Sequence, residues 1–495
     1  MLRQLNMAAA DLGASGGRVV LGRFDGVRLD IEPIHRFPNI PVRAAGVLYW
    51  DILHLYEEIR QGFAATASAH GPVRSIGVDA WGNDFGLLGR NGDLLANPVH
   101  YRDDRTLGMM DEVFSRVPRQ SVYERTGVQF MRFSGLYQLF SVFLRRDSTA
   151  DAAHTFLLIP DLILYFLTGQ RNTEFTDATT TQMFTPRDMD WDRELLELLG
   201  IPSRLFTSII QPGSVIGELD RRNADELGLA GAKVVAVAEH DTASAVAAVP
   251  AHNEDFVYIS SGTWSLVGIE VSAPIINDAA LRYNFTNEGG VEGTFRFLKN
   301  VMGLWIVQQC RDFWRRSGQE FTYADLDRAA QDAEPFCCYL DPDDELFAAA
   351  EDMPGAIRRF CRETGQTPPS SVGEHIRCVL EGLALKYRMV LDEIEEIRGR
   401  AYSTIHVVGG GAQNELLCAF TANATGRRVL AGPTEATAIG NIGVQAIALG
   451  ELSGVGELRD VVRSSFACAE YSPSQTVEWD EAYGRFKEIL IRRGG

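Results

Sequence analysis

Long hydrophobic runs are missing from this 495-residue chain. The most apolar stretch, Thr155 to Leu167, is interrupted by Pro160 and Asp161 and falls short of a membrane span. The N-terminus, Met1 to Ala10, is too short and too weakly apolar for a secretory signal, and the acidic Asp11 follows it directly. Proline is scarce, 19 residues beside 47 glycines, and the composition is 45% hydrophobic and 23% charged, a balance that excludes collagen, coiled coil and disorder. Cysteine is limited to seven residues without a CxxC pair, so neither a zinc site nor a secreted disulfide framework is expected. Cys361 and Cys378 are candidates for a bridge, with free thiols in a reducing cytoplasm as the plainer expectation. Basic charge is also short: 47 Lys and Arg face 66 Asp and Glu, for a net −19. Such a chain has no electrostatic footprint for nucleic acid or an anionic membrane. A small anionic ligand stays compatible, because backbone N–H groups can hold it without help from net charge. The expectation is a soluble, cytoplasmic protein of two large domains or roughly three ordinary ones.

What the sequence does contain is a repeated device. Apolar runs flank a small-residue turn over Met7 to Phe24, which predicts a β-hairpin rather than a strand-loop-helix unit. Phe256 to Glu270 has the same form around Ser260-Ser261-Gly262-Thr263. Two such elements suggest two halves built on one plan, divided at Pro250 to Asp255, giving domains 1–249 and 250–495. Lys233 to Ala238 reads as a buried strand, followed by Glu239-His240-Asp241-Thr242 and a helix of small residues. In the second half, Ile376 to Ile397 has the apolar spacing of a long amphipathic helix stopped at Gly399. Thr404 to Val408, Gly409-Gly410-Gly411, Gln413 to Ala424 and Arg428 to Ala431 then read as a β-α-β unit with glycines at its first turn. A further helix, Glu435 to Leu449, carries Gly440 and Gly443 where a neighbouring backbone could approach closely.

Glycine turns at Gly13 to Gly17, Gly262 and Gly409 to Gly411 are places where backbone donors can approach phosphates. No GxxxxGK[ST] loop and no GxGxxG spacing is present, so a P-loop enzyme and a Rossmann dehydrogenase are excluded. Asp241 ends a buried strand. It reads either as a helix cap, shared with Thr242, or as a carboxylate placed to take a proton from a hydroxyl. Asp11 is likewise a turn residue or a metal-facing carboxylate. Asp79-Ala-Trp-Gly-Asn-Asp-Phe85 combines an aromatic, a glycine and carboxylates, the materials of a sugar site and also of an ordinary core.

Taken together, Asp11-Leu-Gly-Ala-Ser-Gly-Gly-Arg18, Val78 to Phe85, Tyr101-Arg-Asp-Asp-Arg-Thr106, Thr176-Asp-Ala-Thr-Thr-Thr-Gln182, His240-Asp-Thr-Ala-Ser244, Ser261-Gly-Thr-Trp-Ser265, Asn284 to Gly290, Phe297 to Trp305 and Val408 to Asn414 resemble the FGGY family of carbohydrate kinases. The resemblance runs from Ala10 to about Leu452. It implies an α/β chain of two actin-like (ribonuclease H-like) domains with the active site in the cleft between them. It also implies ATP-dependent phosphorylation of a sugar, with L-rhamnulose and its 1-hydroxyl as the expected acceptor and L-fuculose or L-xylulose as alternatives. A non-catalytic actin-like sugar or nucleotide sensor is the competing class, and it would have lost the base.

Carried over by motif, Asp241 is the expected proton acceptor, and Gly82, His240, Asp241, Thr242 and Asn300 would touch the sugar. Ala14, Ser15, Gly16, Gly17 and Arg18 would cradle ATP, joined by Thr263, Gln308 and Gly410, with Asp11 reaching Mg²⁺ through water. Sugar and ATP are then the expected partners, with no nucleic acid and no membrane. The sequence departs from the family pattern at Gly16, where serine is usual, at Ala80 and Asn83 beside the expected sugar site, and at Glu239 before His-Asp.

Overall fold

The computed structural model describes residues 4–348 and 350–494. Met1 to Arg3, the start of the N-terminal stretch read above, lie outside the described residues. The chain forms two compact units that are not contiguous in sequence. The first comprises Met1–Pro250, Glu270–Leu298 and Ala436–Phe466, and the second comprises Ala251–Ile269, Lys299–Glu435 and Ala467–Gly495. One boundary falls at Pro250, but the first unit takes two further pieces from the second half of the sequence. No helix among the described residues is long and apolar enough to cross a membrane.

In the first unit, strands Leu5–Leu12 and Gly16–Phe24 form the expected hairpin, extended by Leu29–Pro38. Leu5–Leu12 pairs in parallel with Ser75–Asp79, which pairs in parallel with Lys233–Ala236; Ser214–Glu218 closes that edge antiparallel. The second unit repeats this plan. Phe256–Ser261 pairs antiparallel with its hairpin partner and in parallel with Thr404–Val408. Arg428–Ala431 follows in parallel, and Ala469–Tyr471 closes the edge antiparallel. The first hairpin strand and Ser75–Val78 are buried nearly throughout, which is why they read as continuous apolar runs rather than alternating ones.

Helices fall close to their expected positions. Val372–Arg398 has a Ser371/Glu374 capping box and ends at Gly399 in the left-handed region, with φ 63°. The glycines after Thr404–Val408 make a short 3₁₀ turn, and Asn414 caps Glu415–Thr425. The helix after Glu239-His240 runs Asp241–Ala247 with His240 at its cap position and no side-chain cap bond, so neither Asp241 nor Thr242 is the cap.

Ala436–Ala448 belongs to the first unit and lies directly on Asp241–Ala247. A Cβ at Gly440 would stand 1.8 Å from the Ser244 carbonyl oxygen, so only glycine allows this approach. Gly440→Ala is expected to cost at least the roughly 1–3 kcal/mol of ordinary overpacking. Its midpoint in thermal unfolding should fall clearly below that of the parent, and an unchanged midpoint would contradict the close packing.

Candidate active site

Three parallel strand ends in the first unit converge. Asp11 and Asp79 are register partners, and Ala80 bridges to His240. The Ala80 N–H donates to the Glu239 carbonyl at 2.9 Å, and the Asp241 N–H donates to the Ala80 carbonyl at 2.8 Å. Asp11, Asp79 and Asp241 are thereby held along one edge, at the carboxyl ends of the strands, where open α/β sheets bind ligands.

Their mutual repulsion is visible in the electrostatics. Burial pushes the Asp79 carboxyl well above the usual range, the Asp11 and Asp241 charges push it further, and a 2.5 Å hydrogen bond from Asn441 opposes them. Its Oδ1 is buried and has no hydrogen-bond partner among the described residues. Asp241 is also raised by burial, with His240 opposing and Asp11 reinforcing the shift. Its side chain keeps 30% of its surface exposed, so it is reachable from one side. Asp11 accepts from Arg18 Nε at 2.8 Å and Nη2 at 2.5 Å.

The glycine loop is shaped by sterics. Gly13 N–H donates to the Gly16 carbonyl at 2.8 Å, and Asn39 Nδ2 donates to the Gly13 carbonyl at 3.0 Å. A Cβ at Gly17 would enter the Phe37 ring at 2.3 Å, and one at Gly16 would lie 3.2 Å from the Phe37 carbonyl. The glycine that replaces the family's usual serine therefore sits where a side chain has little room.

The Trp81 region behaves differently from a bare sugar platform. Trp81 is buried against Trp50, with ring centroids 4.2 Å apart, and both indoles donate to Asp84. Asp84 also accepts from Gln138 and the Tyr101 N–H, so its oxygens serve the loop itself. Burial lifts this carboxyl to about 6 against those hydrogen bonds. Asn83 adopts φ 75°, which asparagine tolerates better than valine, and its side-chain oxygen accepts from the Gly135 N–H at 3.0 Å. Ala80 is wholly buried. The departures at Ala80 and Asn83 thus have local structural reasons.

Glu239 also points inward. It is 1% exposed and hydrogen-bonded to Asp161, and burial with the Asp161 and Glu174 charges drives its carboxyl well above the usual range. Two buried acids in contact share a proton. The residues Glu174 to Thr180 tie the site segments together. Glu174 Oε2 accepts from the backbone N–H groups of Thr176, Asp177 and Glu239. The Thr176 hydroxyl donates to Glu174 at 2.5 Å and accepts from the His240 N–H at 3.1 Å. The Thr179 hydroxyl accepts from the Gly289 N–H, and the Thr180 hydroxyl accepts from the Asn83 N–H beside Gly82.

In the second unit, Thr263 stands in the hairpin turn, with its hydroxyl 3.5 Å from Gln308 Oε1. Gly409 and Gly411 close on Ser261, where a Cβ would fall 3.0 Å and 2.0 Å from its atoms, while Gly410 faces open space. Asn300 is half-buried on strand Phe295–Met302, next to the Lys299–Glu393 ion pair at 2.6 Å.

Residue-by-residue reading missed Asn441 and Gln445. Gln445 donates to the Ala8 carbonyl and accepts from Ser75, so the two amides brace the strands that carry Asp11 and Asp79. Their signal was available: two amides four residues apart share one face of a helix otherwise made mostly of small and apolar residues. The cysteine reading also lacked a member. Cys338, Cys361 and Cys378 are buried free thiols whose sulfurs lie within 4.8 Å of one another. Three donors are one short of a closed structural zinc site.

Residues 7–248 match the family model "FGGY family of carbohydrate kinases, N-terminal domain", and residues 257–449 match the corresponding C-terminal domain. The chain belongs to the FGGY family of carbohydrate kinases. Within it, the chain is 45% identical to a rhamnulokinase of Bacteroides thetaiotaomicron, over 98% of this chain and 99% of that one. It is 42% identical to a rhamnulokinase of Oceanobacillus iheyensis, over 95% and 99%. A xylulose kinase structure from Lactobacillus acidophilus superposes with a TM-score of 0.80 at 17% identity, over 98% of both chains. That likeness shows the fold, the mixed α/β, actin-like architecture of two sheet-containing domains.

Thr176→Val removes the acceptor of the His240 N–H and is expected to cost about 1–3 kcal/mol, the price of leaving a buried donor unpaired. Hydrogen exchange at the His240 amide should accelerate, and Thr176→Ser should restore protection. Equal protection in the valine variant would show that the contact does not hold the loop.

Proposed function

We propose that this sugar kinase transfers the γ-phosphate of ATP to the 1-hydroxyl of L-rhamnulose, giving L-rhamnulose 1-phosphate and ADP in L-rhamnose catabolism. The identity of 42–45% to two rhamnulokinases over nearly the whole chain carries the reading of the substrate. The intact Asp241 motif argues for a working enzyme rather than a sensor that keeps the fold and has lost the base.

Asp241 takes the proton of the attacking hydroxyl. Burial raises its affinity for a proton, which makes it a stronger base than a solvated aspartate, and its partly exposed side chain leaves one face open to the acceptor. His240 and Thr242 flank the sugar, with Gly82 and Asn300. A Cβ at Gly82 would press on Thr180 at 2.9 Å, so the position stays bare beside the Thr180–Asn83 bond. Ala14 to Arg18 hold ATP phosphates in the first unit, and Thr263, Gln308 and Gly410 contact the nucleotide in the second.

The residues fit Mg²⁺. Asp79 has a buried oxygen with no partner among the described residues, and its proton affinity is raised by burial and by the Asp11 and Asp241 charges, a repulsion that a divalent cation relieves. Asp11, through water, and Asp79 would hold the ion. Bound there with ATP, it supplies charge neutralisation for the phosphates. The two family models fall on either side of Pro250, which supports domains 1–249 and 250–495 as the family's N- and C-terminal halves. An acidic protein acting on ATP and a small sugar fits a cytoplasmic setting.

ADP release measured over a panel of ketoses tests the substrate. L-rhamnulose should give the highest kcat/KM, ahead of its epimer L-fuculose and of L-xylulose, which lacks the methyl, a group worth only about 1–3 kcal/mol. Turnover of L-rhamnulose no better than that of D-xylulose would overturn the assignment. Asp241→Asn should retain ATP binding by calorimetry and lower kcat by roughly 10²–10⁴-fold. Undiminished turnover would remove Asp241 from the mechanism.

A further inference from the structure

We infer that Arg296 orients the His240 ring by donating to its Nδ1, which leaves the ring hydrogen on Nε2, on the side of Asp241. The inference rests on the reading of His240 and Asp241 as active-site groups. Arg296 is wholly buried on strand Phe295–Met302, paired with Thr286–Gly289 in the first unit. Its Nη2 lies 3.0 Å from His240 Nδ1 and 3.2 Å from Glu288 Oε2, and its Nε donates to the Gly289 carbonyl at 2.8 Å.

A guanidinium can only donate, so His240 Nδ1 must accept. An imidazole that accepts at Nδ1 keeps its one hydrogen at Nε2. Glu288 offers a competing arrangement, since its Oε2 is 3.4 Å from the same nitrogen. An N–H on Nδ1 aimed at Glu288 would set its hydrogen against those of Arg296 Nη2, at the shorter distance. Glu288 instead balances the Arg296 charge, as an ion pair with Nη2.

The other ring nitrogen then has a defined task. Nε2 stands 3.5 Å from Asp241 Oδ1. As an N–H it presents a donor to that oxygen or to a sugar hydroxyl beside it, and it offers no lone pair to compete with Asp241 for the acceptor's proton. The His240 backbone is already held by Thr176, so Arg296 has only the ring to set. Arg296 is a positioning residue, acting through His240 without touching the reacting atoms.

The test is the ring nitrogen spectrum of the full-length enzyme labelled with ¹⁵N-histidine, with the His240 signals assigned by their loss in His240→Gln. At neutral pH, His240 should show a protonated Nε2 and an unprotonated Nδ1. A protonated Nδ1, or a doubly protonated ring, would overturn the inference, and this readout needs no altered Arg296. Arg296→Met should change the His240 pattern and lower kcat by about ten- to a hundredfold, in line with misplacement of a catalytic group. The KM for ATP should stay within about twofold. A folded Arg296→Met enzyme with an unchanged His240 spectrum would also overturn it. Failure of the functional reading is distinguishable, because full turnover in Asp241→Asn would leave the ring spectrum as it is.

Discussion

Two backbone hydrogen bonds, Ala80 N–H to Glu239 carbonyl and Asp241 N–H to Ala80 carbonyl, are the constraint on which the first unit's site depends. They resume the parallel pairing of Ser75–Asp79 and Lys233–Ala236 beyond the strands, with Ala80 opposite His240 and the register shifted by two residues. Without them, the Gly82 loop and the start of the Asp241 helix would be separate surface turns. With them, the two segments share one register, and the side chains at their ends take their direction from the sheet.

Holding that register brings like charges together. Asp11, Asp79 and Asp241 repel one another, and behind them Asp161, Glu174, Asp177 and Glu239 form a second, fully buried acidic group. Within the inner group, Glu174 Oε2 and Asp161 Oδ1 accept backbone N–H groups, and its carboxyls are pushed toward the neutral form, Glu174 to about 7. The outer group keeps an unmet demand for positive charge, with Arg18 and Asn441 meeting part of it. The inward acids brace the loop. The net charge of −19 is a separate matter: an anionic substrate such as ATP is held by local groups against an unfavourable overall field.

Much of this was legible residue by residue. Both hairpins, the Asp241 strand-to-helix junction and the Val372–Arg398 helix follow from apolar spacing and from glycine positions. The family motifs supplied the roles. Less legible was which polar residues look inward. Trp81 and Asp84 carry the composition of a sugar site, yet the indole and the carboxylate bond to each other. Glu239 is adjacent to His240 in sequence, but its carboxyl is buried against Asp161 while the His240 ring faces Asp241 and Arg296. The glycine-bearing helix Ala436–Ala448 could be read as closely packed, but its partner could not be named from a position some 190 residues away.

The sequence by itself determined the class of fold, the duplicated hairpin plan, the glycine loops and the motif that carries Asp241, because those depend on short-range periodicity and on residue types at fixed spacing. Tertiary structure decided what depends on contacts between distant segments. It drew residues 270–298 and 436–466 into the first unit, brought three cysteines together where two were considered, and set Asn441 beside Asp79. It also placed Arg296 against His240. A side chain's charge state follows from what faces it, and no local pattern records a neighbour brought in by the fold.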